Sequence, residues 1–313
     1  MDRLICPACG GELIPDSTML RGKCAYCGGE HYFSAEELGV VKAAPGLLAE
    51  MFRGESVSTF LKRRLRDAEL DEIFSARGDA ITLTGPDSQI QIRHLHGGVQ
   101  PGALCFMGRH TVVLVFDSQR EGRRFADTAK GLCYPDERQG YLRSLMPRVR
   151  TELPLHGGRM LVALERGRDE YPLASFSELE SAHGAWIMSR LQNICCLLQF
   201  NGLAIPDLQA TDFYMDPYEH QLFLCGGLGR AVAADRASLG LELKAVRRIV
   251  RELMGSRAEE APEDFRRFLE EAPRADAYSD FSKWDLTLTL AFGGRRFQEL
   301  DPGTSTVGRE LNR

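Results

Sequence analysis

The chain has 313 residues, 43% of them hydrophobic, and a formal net charge of −5. That apolar content suffices for a sizeable core and two or three domains, and the negative balance supplies no global basic field to attract nucleic acid. No run reaches the ~18 apolar residues of a membrane span, and the opening "MDRLICPACG" lacks the long apolar stretch of a secretory signal, so a cytoplasmic protein without a membrane partner is expected.

Residues 1–34 carry four of the nine cysteines in two CxxC pairs, "CPACG" and "CAYCG". Cys6, Cys9, Cys24 and Cys27 have fourteen residues between the pairs. Each CxxCG turn aims two thiolates at one point, and the glycine permits the tight knuckle. Two knuckles give a closed four-sulfur site, which suits structural Zn2+; a redox CxxC pair and an iron site are the competing readings. The binding energy of zinc, on the order of 10 kcal/mol in small peptides, would replace the core that so short a module lacks. His31, beside the second knuckle, is expected at the surface. Arg3, Arg21 and Lys23 are balanced by Asp2, Glu12, Asp16 and Glu30, so nucleic acid is not the expected partner of this ribbon.

Residues 35–78 read as a helical linker. Ser34 and Glu37 fit a capping box, Pro45 and Gly46 break the first helix, and "FLKRRLRDAELDEIF" puts Phe60, Leu61, Leu65, Ala68 and Ile73 near one face. From 79 to 166 the period changes. "AITLTG", "QIQIRHL", "ALCFM" and "TVVLVF" are short β-rich runs between turn signals. A mostly helical stretch follows to Leu145, then two strand-like runs near 151–155 and 159–165. From 167 to 302 helices dominate. Ser177 with Glu180 suggests a capping box, Ile187, Leu191, Ile194 and Leu198 share one helical face, and Gly202 suits a C-cap. A second helix carries Leu239, Leu243, Val246, Val250 and Leu253 and stops at Gly255. Residues 303–313 read as a flexible tail. Sheet followed by helices suggests an α+β body in two lobes.

The stretch "GLAIPDLQATDFYMDPYEHQLFLCGGLGRA" places two acids, Asp207 and Asp212, five apart and ends glycine-rich. This layout resembles the catalytic and metal-binding loops of the protein kinase family. There a His-Arg-Asp motif supplies a base, an asparagine five residues later holds metal, and Asp-Phe-Gly follows on the next strand. Here "IPD" stands for the first motif, so Asp207 takes the base position and Asp212 the asparagine position. Cys225, eighteen residues beyond Asp207, begins the "CGG" that replaces Asp-Phe-Gly. "ADRASLG" resembles the start of the central helix of the large lobe, where Asp235 would hold the catalytic-loop backbone. "TVVLVF" resembles the strand of the nucleotide lysine, whose position reads Val115. "HGGVQPG" sits where the glycine-rich loop belongs, and Glu137 is a candidate for the lysine-pairing acid. The resemblance covers roughly residues 80–300 and implies a bilobal protein-kinase-like fold behind the zinc ribbon.

Phosphoryl transfer depends on placing phosphates and neutralising their charge. With Val115 for the lysine and the soft ligand Cys225 for the magnesium acid, the resemblance implies a catalytically inactive pseudokinase that does not use ATP/Mg2+. Each residue also has a plain structural reading. Asp207 can bond local backbone, Asp235 can cap a helix, Cys225 can be a small buried residue, and Cys195 and Cys196 can pack in a helix core. Arg295 and Arg296 read as a solvated turn. The leading expectation is a scaffold binding a protein partner. A divergent kinase or nucleotidyl transferase using Asp207 and Asp212 is the second, and nucleic-acid binding through the ribbon is the third.

Overall fold

A computed structural model describes residues 13–15, 21–24, 27, 30–32, 68–135, 139–167, 169–294 and 300–311. The chain divides into two units, 1–76 and 77–313. In the first, β1 (Leu13–Pro15), β2 (Arg21–Cys24) and β3 (Glu30–Tyr32) form an antiparallel meander. Leu13 pairs with Cys24 and Lys23 with Glu30. Residues 68–77 are helical. Phe60, Leu61 and Leu65 lie outside the described residues. Of the expected stripe, Ala68 is exposed and Ile73 half-buried, and the buried positions are instead the larger i,i+4 pair Leu70 and Phe74. Ser34, Glu37, Pro45 and Gly46 also lie outside the described residues.

The second unit opens with a hairpin, β4 (Asp79–Thr84) and β5 (Gln89–His94). A five-stranded sheet follows from β6 (His96–Gln100), β7 (Ala103–Met107), β8 (Thr111–Phe116), β9 (Val149–Pro154) and β10 (Met160–Glu165). Its order is β6-β7-β8-β10-β9, with every described pair antiparallel. Helix α1 (Gln119–Gly131) leaves β8 at once, capped by the Ser118 hydroxyl, which accepts from Glu121 N. It lies close on β10: a Cβ at Gly122 would come within 2.8 Å of the Met160 side chain. α2 (Gln139–Ser144) is a short helix before β9.

β11 (Tyr171–Pro172) leads into the helical part, which contains α3 (Ser181–Phe200), α4 (Arg236–Met254), α5 (Glu263–Glu270) and α6 (Ala277–Phe292). The expected Ser177 cap is not used: α3 begins at Ser181 with Glu180 at the cap position. Gly202 takes φ 68 just beyond the Asn201 cap, and Gly255 ends α4, as their chemistry favours. Inside this part Arg247 donates to Asp280 Oδ1 at 2.7 Å, and Gln192 Nε2 donates to Asp280 Oδ2 at 2.7 Å. The expected tail is packed instead. Residues 306–311 form α7 (Thr306–Leu311), Val307 and Leu311 are buried, and the Ser305 hydroxyl meets that of Ser175 at 2.6 Å. Two apolar anchors and a buried hydroxyl pair fix a segment whose composition alone reads as mobile. Among the described residues no helix is long and apolar enough to cross a membrane.

Candidate functional site

Beyond Gly202, β12 (Leu203–Ala204) pairs with β15 (Val232–Ala233), and between them β13 (Phe213–Asp216) and β14 (Gln221–Leu224) make a hairpin. Both acids lie on the loop joining β12 to β13. The backbone of that loop is fixed from below by Glu242 of α4, whose Oε1 accepts from Ile205 N at 2.6 Å. Glu242 is fully buried, and burial pushes its carboxyl up to about 7. The holding role that the resemblance gave Asp235 therefore belongs to Glu242. Asp235 caps α4, accepting from Ser238 N at 2.7 Å. A glutamate inside the apolar stripe of Leu239, Leu243 and Val246 was the sequence signal for it.

Asp207 is about half exposed and Asp212 has no exposure. A single side chain, which the sequence reading passed over, brings them together. Arg230 Nε donates to Asp207 Oδ2 at 2.8 Å, its Nη2 donates to Asp212 Oδ2 at 2.9 Å, and its Nη1 donates to the Pro101 carbonyl at 3.1 Å. The first two bonds tie both acids to one guanidinium; the third reaches the β6–β7 turn of the sheet. Asp212 Oδ2 also accepts from Gln209 N at 2.9 Å. Burial raises the Asp212 carboxyl above its ordinary range and outweighs the lowering by Arg230.

"HGGVQPG" is not a loop. Gly97 and Gly98 sit in β6, and the connection to β7 is the two-residue turn Pro101–Gly102, with φ 83 at Gly102. Proline then glycine suits a tight turn with positive φ at the second position. From the end of β6, Gln100 reaches down and its Nε2 donates to the Thr211 carbonyl at 2.6 Å. A cavity of about 90 Å³ remains, lined among others by Gln100, Phe116, Glu121, Gly226 and Arg230.

Val115 requires a correction. It is buried among Leu83, Val113, Leu155 and Leu161, on the sheet face away from this cavity. Alternation along β8 puts Phe116 on the cavity side, opposite Ala103, and Leu114 opposite Cys105. A one-residue shift of register reverses the face, and each of the three residues is apolar. Glu137 lies outside the described residues; the acid that lines the cavity is Glu121 of α1.

Cys225 is buried, and its N–H donates to the Asp212 carbonyl at 2.7 Å. Burial pushes its thiol well up, so it stays a neutral group. Gly226 follows where only a hydrogen fits. A Cβ there would lie 2.5 Å from both Asp212 Oδ1 and Gln100 Oε1. Cys195 is buried in α3 and Cys196 partly so, as their plain reading has it.

In the first unit, Cys6 and Cys9 lie outside the described residues, as do Arg295 and Arg296 in the second. Cys24 is buried at the end of β2, and Cys27 lies exposed in the turn before β3. Cys27 N–H points to Cys24 Sγ at 3.5 Å. Among the described residues no three His, Cys, Asp or Glu side chains cluster as a metal site.

A scan of protein-family models gives no match to the chain, and a search of curated proteins gives none either. Solved structures do match. WbdD, described elsewhere as a bifunctional kinase-methyltransferase, is 13% identical with a TM-score of 0.45 over 64% of this chain and 47% of that one. Vaccinia related kinase 3 is 13% identical, with a TM-score of 0.38 over 79% of each chain. The BubR1 kinase domain is 9% identical, with a TM-score of 0.48 over 79% of this chain and 96% of that one. The chain spans about half the length of WbdD.

Proposed function

We propose that residues 77–313 form a catalytically inactive, protein-kinase-like body that serves as a protein-interaction scaffold. The observation that carries this reading is the Arg230 guanidinium between Asp207 and Asp212. In an active kinase the catalytic acid meets a substrate hydroxyl and the nearby polar residue meets a metal ion. Here a permanent positive charge of the chain itself is bonded to one oxygen of each acid. The β6–β7 turn is drawn down by Gln100 and Arg230 onto the space where phosphates would lie. Leu114, Val115 and Phe116 supply no cation on β8. Seven residues, 228–234, link Gly227 to the Asp235 cap. In kinases that interval holds an activation segment, and seven residues leave little chain to seat a protein substrate.

Structural Zn2+ held by Cys6, Cys9, Cys24 and Cys27 belongs to the same proposal. It would fold the first module and do no chemistry. Elemental analysis of the full chain should find equimolar zinc, and chelation should remove amide protection from β1–β3.

The test of inactivity is a thermal-shift titration of zinc-loaded protein with ATP and ADP, with and without magnesium or manganese. A ligand of the folded state raises apparent stability by ~2.7 kcal/mol at a hundredfold excess over its dissociation constant. The expected result is no shift at millimolar nucleotide. A metal-dependent shift, with turnover lost in Asp207→Ala, would establish a divergent transferase instead.

A further inference from the structure

The sheet meets the acidic loop through Gln100, Arg230 and the bare α-carbon of Gly226, and one atom there is left over. Asp212 is fully buried, its Oδ2 is bonded to Arg230 and Gln209, and its Oδ1 has no hydrogen-bond partner. Gln100 Oε1 converges with that Oδ1 on the same point, the place a Cβ of Gly226 would occupy. The amide of Gln100 cannot be turned over to repair this. Its Nε2 donates to the Thr211 carbonyl at 2.6 Å, and the flipped amide would set two carbonyl oxygens against each other. A buried, unpartnered oxygen and a second acceptor facing the same spot favour a hydrogen between them.

We infer that Asp212 is a proton-dependent bolt: as the neutral acid it donates from Oδ1 to Gln100 and holds the β6–β7 turn down, and its ionisation loosens that turn. The inference rests on the self-occupied cleft proposed above. The groups facing Asp212 are Arg230, Asp207, Cys105 of β7 and Cys225 after β14. Arg230 favours the ionised form. Burial and the Asp207 charge favour the neutral one and together prevail. The two thiols are pushed up by burial and stay neutral. Raised in the closed state from an ordinary value of 3.8, this carboxyl stabilises closure fully below that value. The contribution is lost as pH climbs through the raised value, and the opening then levels off.

The test is hydrogen exchange on the full, zinc-loaded, nucleotide-free chain across a pH series, corrected for the intrinsic amide rate and read at residues 102–105. Wild type should open up to about tenfold more per pH unit inside that window and then plateau. Asp212→Asn, whose amide donates to Gln100 at every pH, should be flat. Gln100→Met, which removes the opposing oxygen, should open more at all pH values and show a shallower slope, since burial still raises Asp212. A protonated-carboxyl infrared band should be present in wild type at the acidic end of the window and reduced in Asp212→Asn. A flat wild-type profile overturns the bolt, as does an unchanged slope in either variant that folds. Nucleotide binding in the thermal-shift titration would remove the inactive reading and leave this slope, measured without nucleotide, to stand or fall separately.

Discussion

Arg247 and Arg230 each bond a buried aspartate at similar distance, yet their surroundings differ. Arg247 is 3% exposed, stacks over Phe268 at 4.3 Å and meets Asp280 wholly within the helical part. Asp280 in turn holds Gln192 of α3 and the backbone of Arg274. Arg230 is 22% exposed and its three bonds join two loop acids to a turn of the sheet. A buried pair whose bonds all stay within one packed region is part of the architecture. A partly exposed pair joining a loop to a facing turn sets the state of the cleft between them. The same charges thus serve the fold in one place and the site in the other.

The widest difference should appear on deleting each partner. Asp280→Ala leaves Arg247 buried without its counter-ion and should cost about 3–5 kcal/mol in denaturant unfolding. A cost below that of deleting Arg230 would erase the distinction.

Glu242→Gln sharpens the comparison from a third side, because Glu242 ties the acidic loop to α4 without any arginine. Its carboxyl is raised from 4.5 to about 7 in the folded state. Folding therefore favours the protonated form, and stability falls as pH rises from the ordinary glutamate range towards 7, by at most about 1.4 kcal/mol per unit. Glutamine keeps an acceptor for Ile205 N but cannot ionise. The stability of Glu242→Gln should lose this decline, and identical pH profiles for the two proteins would show that Glu242 does not titrate there.

Arg230→Ala should be milder than Asp280→Ala, at roughly 1–3 kcal/mol. Asp207 is solvated and its pair with Arg230 is worth little, and the buried Asp212 can take up a proton. Exchange at residues 102–105 should rise, while nucleotide should still give no thermal shift, since β8 carries no cation. A restored, metal-dependent shift would mean that Arg230 alone closes a working site.

The order of elements was legible because it rests on local period. A short β-branched run between turn signals marked "TVVLVF", the 3.6 period marked α3 and α4, and glycine marked where each stops. The acids were legible too, as a pair five apart. The facing of Val115 was not, because a continuous apolar run such as "TVVLVF" carries no internal mark of which side meets the cleft. Arg230 and Gln100 were missed for a related reason. The arginine after "GGLG" meets Pro101, next to the glutamine before "PG", across 129 residues of chain, and nothing local couples them. The tail at 303–313 was misread because Val307 and Leu311 are too few to show a period, although they suffice to anchor one turn of helix.

The smallest effect separates the two acids of α4 that compete for the loop-holding role. Asp235 is at the surface, and its bonds are to Ser238 of its own first turn. Asp235→Ala removes that cap, so α4 should fray at its start and the midpoint of unfolding should drop slightly. Exchange of the Ile205 amide should stay unchanged, because Glu242 still accepts from it. Glu242→Leu should do the reverse, freeing the Ile205 amide while the start of α4 stays capped. If Asp235→Ala released Ile205, the loop would be held through the helix start after all, and Glu242 would be a buried acid without that task.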